Sequence, residues 1–122
     1  IGENNTMACS FVGQGADLAV VKMADGSVLK AVGDRPVGAD VTLSVRPENI
    51  MLAGDQTPQG ANLFSGTATD VFFLGDHMRL SVQAFGGQIV TARIPVALSR
   101  AFQSGETVHL ACMPADCRLL EG

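Results

Sequence analysis

The chain has 122 residues, a formal net charge of −4 at pH 7 and 47% hydrophobic residues. This length suits one compact domain with its own core, and no apolar run reaches the roughly 18 residues that a membrane-spanning helix needs. The 8 basic residues are scattered, which argues against nucleic acid as a partner. Because the sequence begins at Ile1 without a signal peptide, we expect this end to be a boundary within a longer chain.

Alternating apolar residues run along most of the sequence and predict half-buried strands. They are Leu18 and Val20; Val41, Leu43 and Val45; Leu80, Val82 and Ala84; and Val108, Leu110 and Cys112. Hairpin turns are predicted at Asp25 with Gly26 and at Gly86 with Gly87, since these residues accept a positive φ. One short helix is predicted over residues 96–102, after Pro95.

An internal duplication organises these elements. In one block, four residues recur at a shift of 62 positions: Phe11, Gly13, Leu18 and Val20 as Phe73, Gly75, Leu80 and Val82. In a second block, the shift is 67: Gly38, Val41, Leu43 and Pro47 recur as Gly105, Val108, Leu110 and Pro114. Each copy alone would be an open sheet with exposed edges, so we expect the copies to close on each other.

The predicted fold class is therefore mainly β, a duplicated OB-like small barrel with one short helix. The whole chain, 1–122, is predicted to be a single domain. Copy one spans about residues 5–53, a connector about 54–60, and copy two about 61–122.

Several segments, in order, resemble the transport-associated OB (TOBE) region that follows the nucleotide-binding domain in ABC importer ATPases. They are Ile1-Gly2-Glu3 with Asn5, Val45-Arg46-Pro47-Glu48-Asn49-Ile50, Asn62-Leu63-Phe64-Ser65-Gly66, and Phe73-Leu74-Gly75-Asp76 with Arg79. The polyamine and iron(III) importers look closest. The resemblance implies a non-catalytic regulatory and dimerising domain of TOBE type, in a cytoplasmic protein peripheral to the inner membrane.

The same resemblance implies the partners. They are a second copy of the subunit in a homodimer, its own nucleotide-binding domain, the membrane permease subunits indirectly, and a small cytoplasmic effector. No cofactor is expected in this chain, because no G-x-x-x-x-G-K-[ST] phosphate loop occurs. ATP and Mg²⁺ are expected only in the nucleotide-binding domain, which this chain lacks.

Five residues are candidates for an interface between domains or subunits: Arg46, Pro47, Glu48, Asp76 and Arg79. Arg46 and Glu48 flank a proline at a predicted strand end, where charges can reach a neighbouring surface. A structural turn with solvated charges explains the same pattern, and exposed ion pairs contribute only ~0–1 kcal/mol. Both interpretations stay open at this point.

A metal site and a catalytic site both lack support in the sequence. Cysteines and histidines are the usual zinc ligands, and this chain has Cys9, His77, His109, Cys112 and Cys117. Their spacing matches no zinc pattern, and the odd number of cysteines favours free thiols in a reducing cytoplasm. Cys112 is interpreted as a small core residue. No G-x-S-x-G motif or compact acid and base set indicates a hydrolase.

Two other functions remain as alternatives. One is a stand-alone small-ligand module of OB type that binds an oxyanion, as duplicated modules of similar fold do. The other is an OB-type nucleic-acid binder, which the acidic charge and the absence of Tyr and Trp oppose.

Overall fold

The computed structural model describes residues 3–120, and strands make up most of its regular secondary structure. In chain order the strands are β1 (Asn5–Gly15), β2 (Leu18–Met23), β3 (Val28–Ala31), β4 (Asp40–Val45), β5 (Ile50–Leu52), β6 (Asn62–Phe73), β7 (His77–Ala84), β8 (Gln88–Pro95), β9 (Thr107–Cys112) and β10 (Cys117–Leu120). Single 3₁₀ turns lie at Pro47–Asn49, Val96–Leu98 and Pro114–Asp116. The predicted mainly β fold class is confirmed. Within residues 3–120, none of the helical turns has the length or apolar character to cross a membrane.

The strands form two five-stranded antiparallel sheets that exchange one strand. Sheet one has the order β10-β4-β1-β2-β3, and sheet two has the order β5-β9-β6-β7-β8. Each sheet thus takes four strands from one half of the chain and its fifth from the other. The 3₁₀ turns at Pro47–Asn49 and Pro114–Asp116 carry the chain across. Because each half completes the other's sheet, the exchange covers an edge that a single copy would expose.

Two buried asparagines clamp the sheets together. Asn5, at the start of β1, donates its side-chain amide to the carbonyl of Thr91 and accepts from the Thr91 amide, at 2.9 and 2.8 Å. Asn62, at the start of β6, does the same with the backbone of Lys30, at 2.8 Å in both directions. Each asparagine side chain therefore bonds the backbone N–H and C=O of one residue on the third strand of the opposite half. These polar backbone groups, which face the other sheet, are satisfied by that side chain.

The 67-position shift of the second duplicated block is confirmed. Val45 pairs with Asn5 in sheet one, and Cys112 pairs with Asn62 in sheet two. The copy limits near residues 53 and 61 remain a prediction, as does the role of the connector.

The 62-position shift of the first block is wrong. Phe11 pairs with Val21, and Ala68 pairs with Val82, so corresponding positions lie 57 apart in β1 and β6 and 61 apart in β2 and β7. Phe73, predicted to match Phe11, is 57% exposed, whereas Phe11 is 1% exposed. The second copy has a longer hairpin between its first two strands, and that insertion breaks the constant shift.

The same displacement reverses the predicted inward face of β2. Ala19, Val21 and Met23 point into the core, while Leu18 and Val20 are half-buried. Strand side chains alternate with period two, so an error of one position exchanges the two faces. The inward faces predicted for β4, β7 and β9 are confirmed, and their apolar residues lie in the core shared by both sheets.

The predicted helix over residues 96–102 is a single 3₁₀ turn, Val96–Leu98. The Ser99 hydroxyl donates to the Val96 carbonyl at 2.8 Å. In a continuing α-helix this carbonyl would accept from the backbone N–H four residues later, so the side-chain bond competes with helix formation. Beyond it, Phe102 is buried, with the Arg100 guanidinium 3.7 Å from its ring centroid. Burial of Phe102 favours an extended return to the core over helical continuation.

Candidate functional site

The predicted interface residues converge on one charged cleft. Arg46, Pro47, Glu48 and Arg79 line a cavity of about 170 Å³. The other lining residues are Glu3, His77 and Arg93. Asp76 stands beside this charged cleft, because its carboxylate accepts from His77 Nδ1 at 2.7 Å. The structure therefore brings together residues from the lead-in to β1, the first crossover turn and strands β7 and β8. Ile1 and Gly2, which the resemblance also used, lie outside the described residues.

Local backbone structure sets the positions of these side chains. Pro47 is buried at the first position of its 3₁₀ turn, which suits the fixed φ of proline. The flanking Arg46 and Glu48 are consequently turned outward and exposed. Arg79 and Arg93 lie directly opposite each other on β7 and β8. Two like charges in that position repel each other unless carboxylates compensate them.

Two carboxylates supply that compensation. Glu3 pairs with Arg79 through both carboxylate oxygens, and Asp76 lies 3.9 Å from Arg93. Hydrogen bonding from Arg79 lowers the pKa of Glu3, and hydrogen bonding from His77 lowers the pKa of Asp76. All these groups are partly or fully exposed, so water screens them and each pair stabilises the fold weakly. Such exposed, paired charges can exchange their intramolecular partners for groups on another surface.

An apolar groove of about 490 Å³ adjoins the charged cleft and shares Glu48 and Arg93 with it. The apolar residues that line the groove are Ile50, Met51, Leu52, Ile94, Pro95 and Leu98. The groove follows the seam between β5 and β8, the two outer strands of sheet two. Within the described residues no β-bridge joins these two strands.

The corresponding seam of sheet one is closed. The Val32 amide donates to the Cys117 carbonyl at 2.8 Å, and the Leu119 amide donates to the Val32 carbonyl at 3.0 Å. Gly33 permits this approach, since a Cβ there would lie 2.8 Å from Leu119 Cβ. The corresponding residue in sheet two is Ile94, whose side chain occupies the seam. The two barrels therefore differ at the place where the groove lies.

The histidines and cysteines lie apart from one another. His77 contacts Asp76, whereas exposed His109 shares a 2.8 Å hydrogen bond between its Nδ1 and Ser65 Oγ. Cys112 is buried in the core, as predicted. Across residues 3–120, no three metal-ligating side chains come together. The Ser65 and His109 pair has no carboxylate bonded to the ring in that range, so the third group of a triad is missing there.

The structural roles of Asn5 and Asn62 were not predicted from the sequence. Both fell within segments noted for the resemblance, but no role followed from them. The sequence did contain a signal for their equivalence: the two asparagines are 57 positions apart, which is the shift that relates β1 to β6.

Two small β-barrels that exchange a strand define a duplicated OB-type domain. The profile of the TOBE domain family matches residues 43–120. The chain belongs to the TOBE domain family.

Two curated relatives are ATP-binding proteins of importers. Spermidine/putrescine import ATP-binding protein PotA 1 of Pseudomonas aeruginosa is 29% identical over 113 residues, which cover 91% of this chain and 30% of that protein. Fe(3+) ions import ATP-binding protein FbpC 1 of Rhizobium meliloti is 30% identical over 125 residues, covering 100% and 33%. The chain thus spans about a third of the length of these relatives.

The cytoplasmic molybdate-binding protein ModG, in a crystal form with molybdate bound, has a similar fold. The TM-score is 0.77, the sequence identity is 17%, and the match covers 94% of each chain. At this identity the likeness concerns the fold.

Proposed function

We propose that this chain is the non-catalytic C-terminal regulatory and dimerisation domain of the ATP-binding subunit of an ABC importer. The TOBE family membership and the two importer relatives support this proposal. The observation that carries it is the charged cleft. Residues from separate parts of the chain converge there as exposed ion pairs beside an apolar groove. That combination suits a polar rim around an apolar contact with another protein surface.

The proposal includes the surroundings of the domain. The partners are its own nucleotide-binding domain, a second copy of the subunit and, indirectly, the membrane permease. A small cytoplasmic effector acts by favouring one dimer arrangement, which requires different affinities for the two arrangements. ATP and Mg²⁺ bind in the nucleotide-binding domain. The protein is cytoplasmic and peripheral on the inner membrane, and it imports a polyamine or iron(III), the solutes in the relatives' names.

The test compares the full-length ATPase with a version truncated before this domain. We expect truncation to change ATP turnover or the dimer fraction, and to abolish any dependence of turnover on internal solute. Unchanged turnover, assembly and solute dependence would exclude the regulatory role.

A point variant localises the effect. Arg46→Glu reverses a cleft charge that has no ion-pair partner among the described residues. The matched control is Lys22→Glu, at the exposed position of β2. We expect only Arg46→Glu to alter assembly or turnover; equal effects from both variants would indicate general charge repulsion and would contradict docking at the cleft.

A second candidate function is a stand-alone oxyanion-binding module. The fold likeness to ModG over 94% of each chain favours it. Calorimetry with molybdate, tungstate and sulfate separates the two candidates. Micromolar binding of an oxyanion to this chain would support the alternative, and no binding is expected if the domain serves an importer ATPase.

A further inference from the structure

Two buried thiols meet where the chain crosses from sheet two back to sheet one. Cys112 ends β9 and Cys117 begins β10, and their Sγ atoms are 3.5 Å apart. They are 2% and 0% exposed. Only the 3₁₀ turn at Pro114–Asp116 and Met113 separate them in sequence. Because β9 belongs to sheet two and β10 to sheet one, a covalent bond between these sulfurs would join the two sheets.

The first half of the chain shows that packing at this place does not require cysteine. At the 67-position shift, Cys112 corresponds to Val45 and Cys117 to Ile50. Both of these residues are buried and flank the equivalent 3₁₀ turn. Aliphatic side chains therefore fill the same positions of the same fold. The second half has a pair of thiols there instead. These thiols fill the same space as the aliphatic side chains, but they can also react with each other.

The surroundings assign different roles to the two sulfurs. Asn62 places its side-chain amide 3.6 Å from Cys117 Sγ and 4.0 Å from Cys112 Sγ. The hydrogen bond from Cys117 lowers the pKa of Cys112, although burial opposes that effect. Donating this bond and being buried raise the pKa of Cys117. Cys112 is thus the thiol that ionises first, and the thiolate is the reactive form.

We propose that Cys112 and Cys117 form a reversible disulfide when the protein meets hydrogen peroxide. The Cys112 thiolate attacks one peroxide oxygen; an S–O bond forms, the O–O bond breaks, and the departing hydroxide takes a proton to become water. Cys117 sulfur then attacks Cys112 Sγ, the S–O bond breaks, and hydroxide leaves with the Cys117 proton as a second water. Two thiols are oxidised and one peroxide is reduced to two waters. A dithiol reductant reverses the reaction by exchange.

The disulfide would fasten the sheets at the second crossover. It would also fix the backbone of Cys117, whose carbonyl accepts from Val32 in the closed seam of sheet one. The oxidised protein should therefore resist thermal unfolding better than the reduced protein, by about 3–6 °C if the native geometry accommodates the bond without strain.

The test counts thiols before and after peroxide. The purified protein is treated with hydrogen peroxide, quenched, denatured and alkylated, and its intact mass and cross-linked peptides are measured. Reduced protein should take up alkyl groups on all 3 of its cysteines. Oxidised protein should take up one, on Cys9, and should yield a peptide pair joined through Cys112 and Cys117. Dithiothreitol should restore the reduced pattern.

The controls are Cys112→Val and Cys117→Ile, which introduce the residues of the first half. Neither variant should form a cross-link or gain thermal stability under the same treatment: Cys112→Val should keep both remaining thiols free, whereas Cys117→Ile should stop with added oxygen on Cys112. Three free thiols in treated wild-type protein would overturn the proposal. Added oxygen on Cys112 of the wild-type protein without a cross-link would also overturn it, because the sulfurs would then be too far apart or too rigid to join.

Discussion

The two barrels follow the same strand plan but are completed differently. In the first barrel, β3 approaches β10 closely enough for two backbone hydrogen bonds through Val32. In the second barrel, β8 and β5 lie side by side without a bridge in the described chain, and an apolar groove follows the seam. The side chain at one position accounts for the contrast, since Gly33 stands where the second barrel has Ile94.

The second half also carries the insertions. Its first hairpin is longer and exposes Phe72, Phe73 and Leu74, and its third connection contains the extra turn at Val96–Leu98. The Val96 amide donates to the Asp76 carbonyl at 3.1 Å, so both insertions meet beside the charged cleft. The halves therefore share their core and differ in their surface. One half closes its barrel, and the other presents the groove, the cleft and the added apolar residues.

The largest difference between the halves is expected for two phenylalanines that sequence similarity had paired. Phe11→Ala removes a fully buried ring and should lower the free energy of unfolding by about 3–5 kcal/mol. Phe73→Ala removes an exposed ring and should change it by less than about 0.5 kcal/mol. Urea denaturation of both variants measures the contrast. Similar losses would restore the 62-position correspondence and contradict the observed burial.

The two asparagine clamps should contribute nearly equally to stability, because Asn5 and Asn62 make the same hydrogen bonds in the two halves, whereas the seams of the two barrels differ. Asn5→Ala and Asn62→Ala each leave a buried amide and carbonyl without partners. Each should cost about 2–4 kcal/mol of stability. Gln59→Ala, in an exposed loop, is the control and should have little effect. Denaturation midpoints at equal m-value test this prediction. A loss confined to one clamp would show that the sheets are held together unequally.

The sequence predicted the fold class and most inward faces because alternation and turn residues are local signals. Val41, Leu43 and Val45 alternate in the sequence as they do in the sheet. The sequence predicted that the two copies close on each other, but not which strands they exchange, since β5 has only three residues and its partner β9 is distant in sequence. Short strands depend on tertiary pairing more than on their own pattern.

The sequence named five of the residues in or beside the charged cleft, but not the cleft itself. Arg46, Pro47 and Glu48 came from one short segment, and the resemblance added Asp76 and Arg79, but their convergence depends on the fold. Glu3 and Arg93 were not identified, because an exposed charge has no periodic pattern that distinguishes it from a solvated residue. The interface role of all these residues remains a proposal.

The closed seam should be sensitive to a single methyl group. Gly33→Ala places a Cβ 2.8 Å from Leu119 Cβ at a φ of +146°, so β3 and β10 must separate. We expect a loss of about 1–3 kcal/mol. Gly54→Ala is the matched control, because a Cβ there meets open space. Thermal unfolding of the two variants measures the difference. If Gly33→Ala behaves like Gly54→Ala, close approach at the seam does not stabilise the first barrel.

The smallest expected effect is electrostatic and belongs to the second barrel. Arg79 occupies the position of Leu18 in the first barrel, so its pairing with Glu3 has no counterpart there. The hydrogen bond from Arg79 holds the pKa of Glu3 below its ordinary value of 4.5. The folded state therefore favours the carboxylate form. Its contribution to stability is present above about pH 4.5 and is lost as the pH falls through the lowered pKa.

Glu3→Gln should accordingly lower Tm at pH 7 by no more than about 3 °C, since the pair is exposed. The difference between variant and wild type should shrink as the pH falls below 4.5 and should also shrink in high salt. Asp17→Asn, which neutralises an exposed carboxylate in the first barrel's hairpin, controls for net charge. Thermal unfolding across pH 3–7 provides the measurement. A Glu3→Gln deficit that persists undiminished at pH 3 would mean that the side chain stabilises the fold through packing, because a protonated glutamic acid and a glutamine are both uncharged at this position.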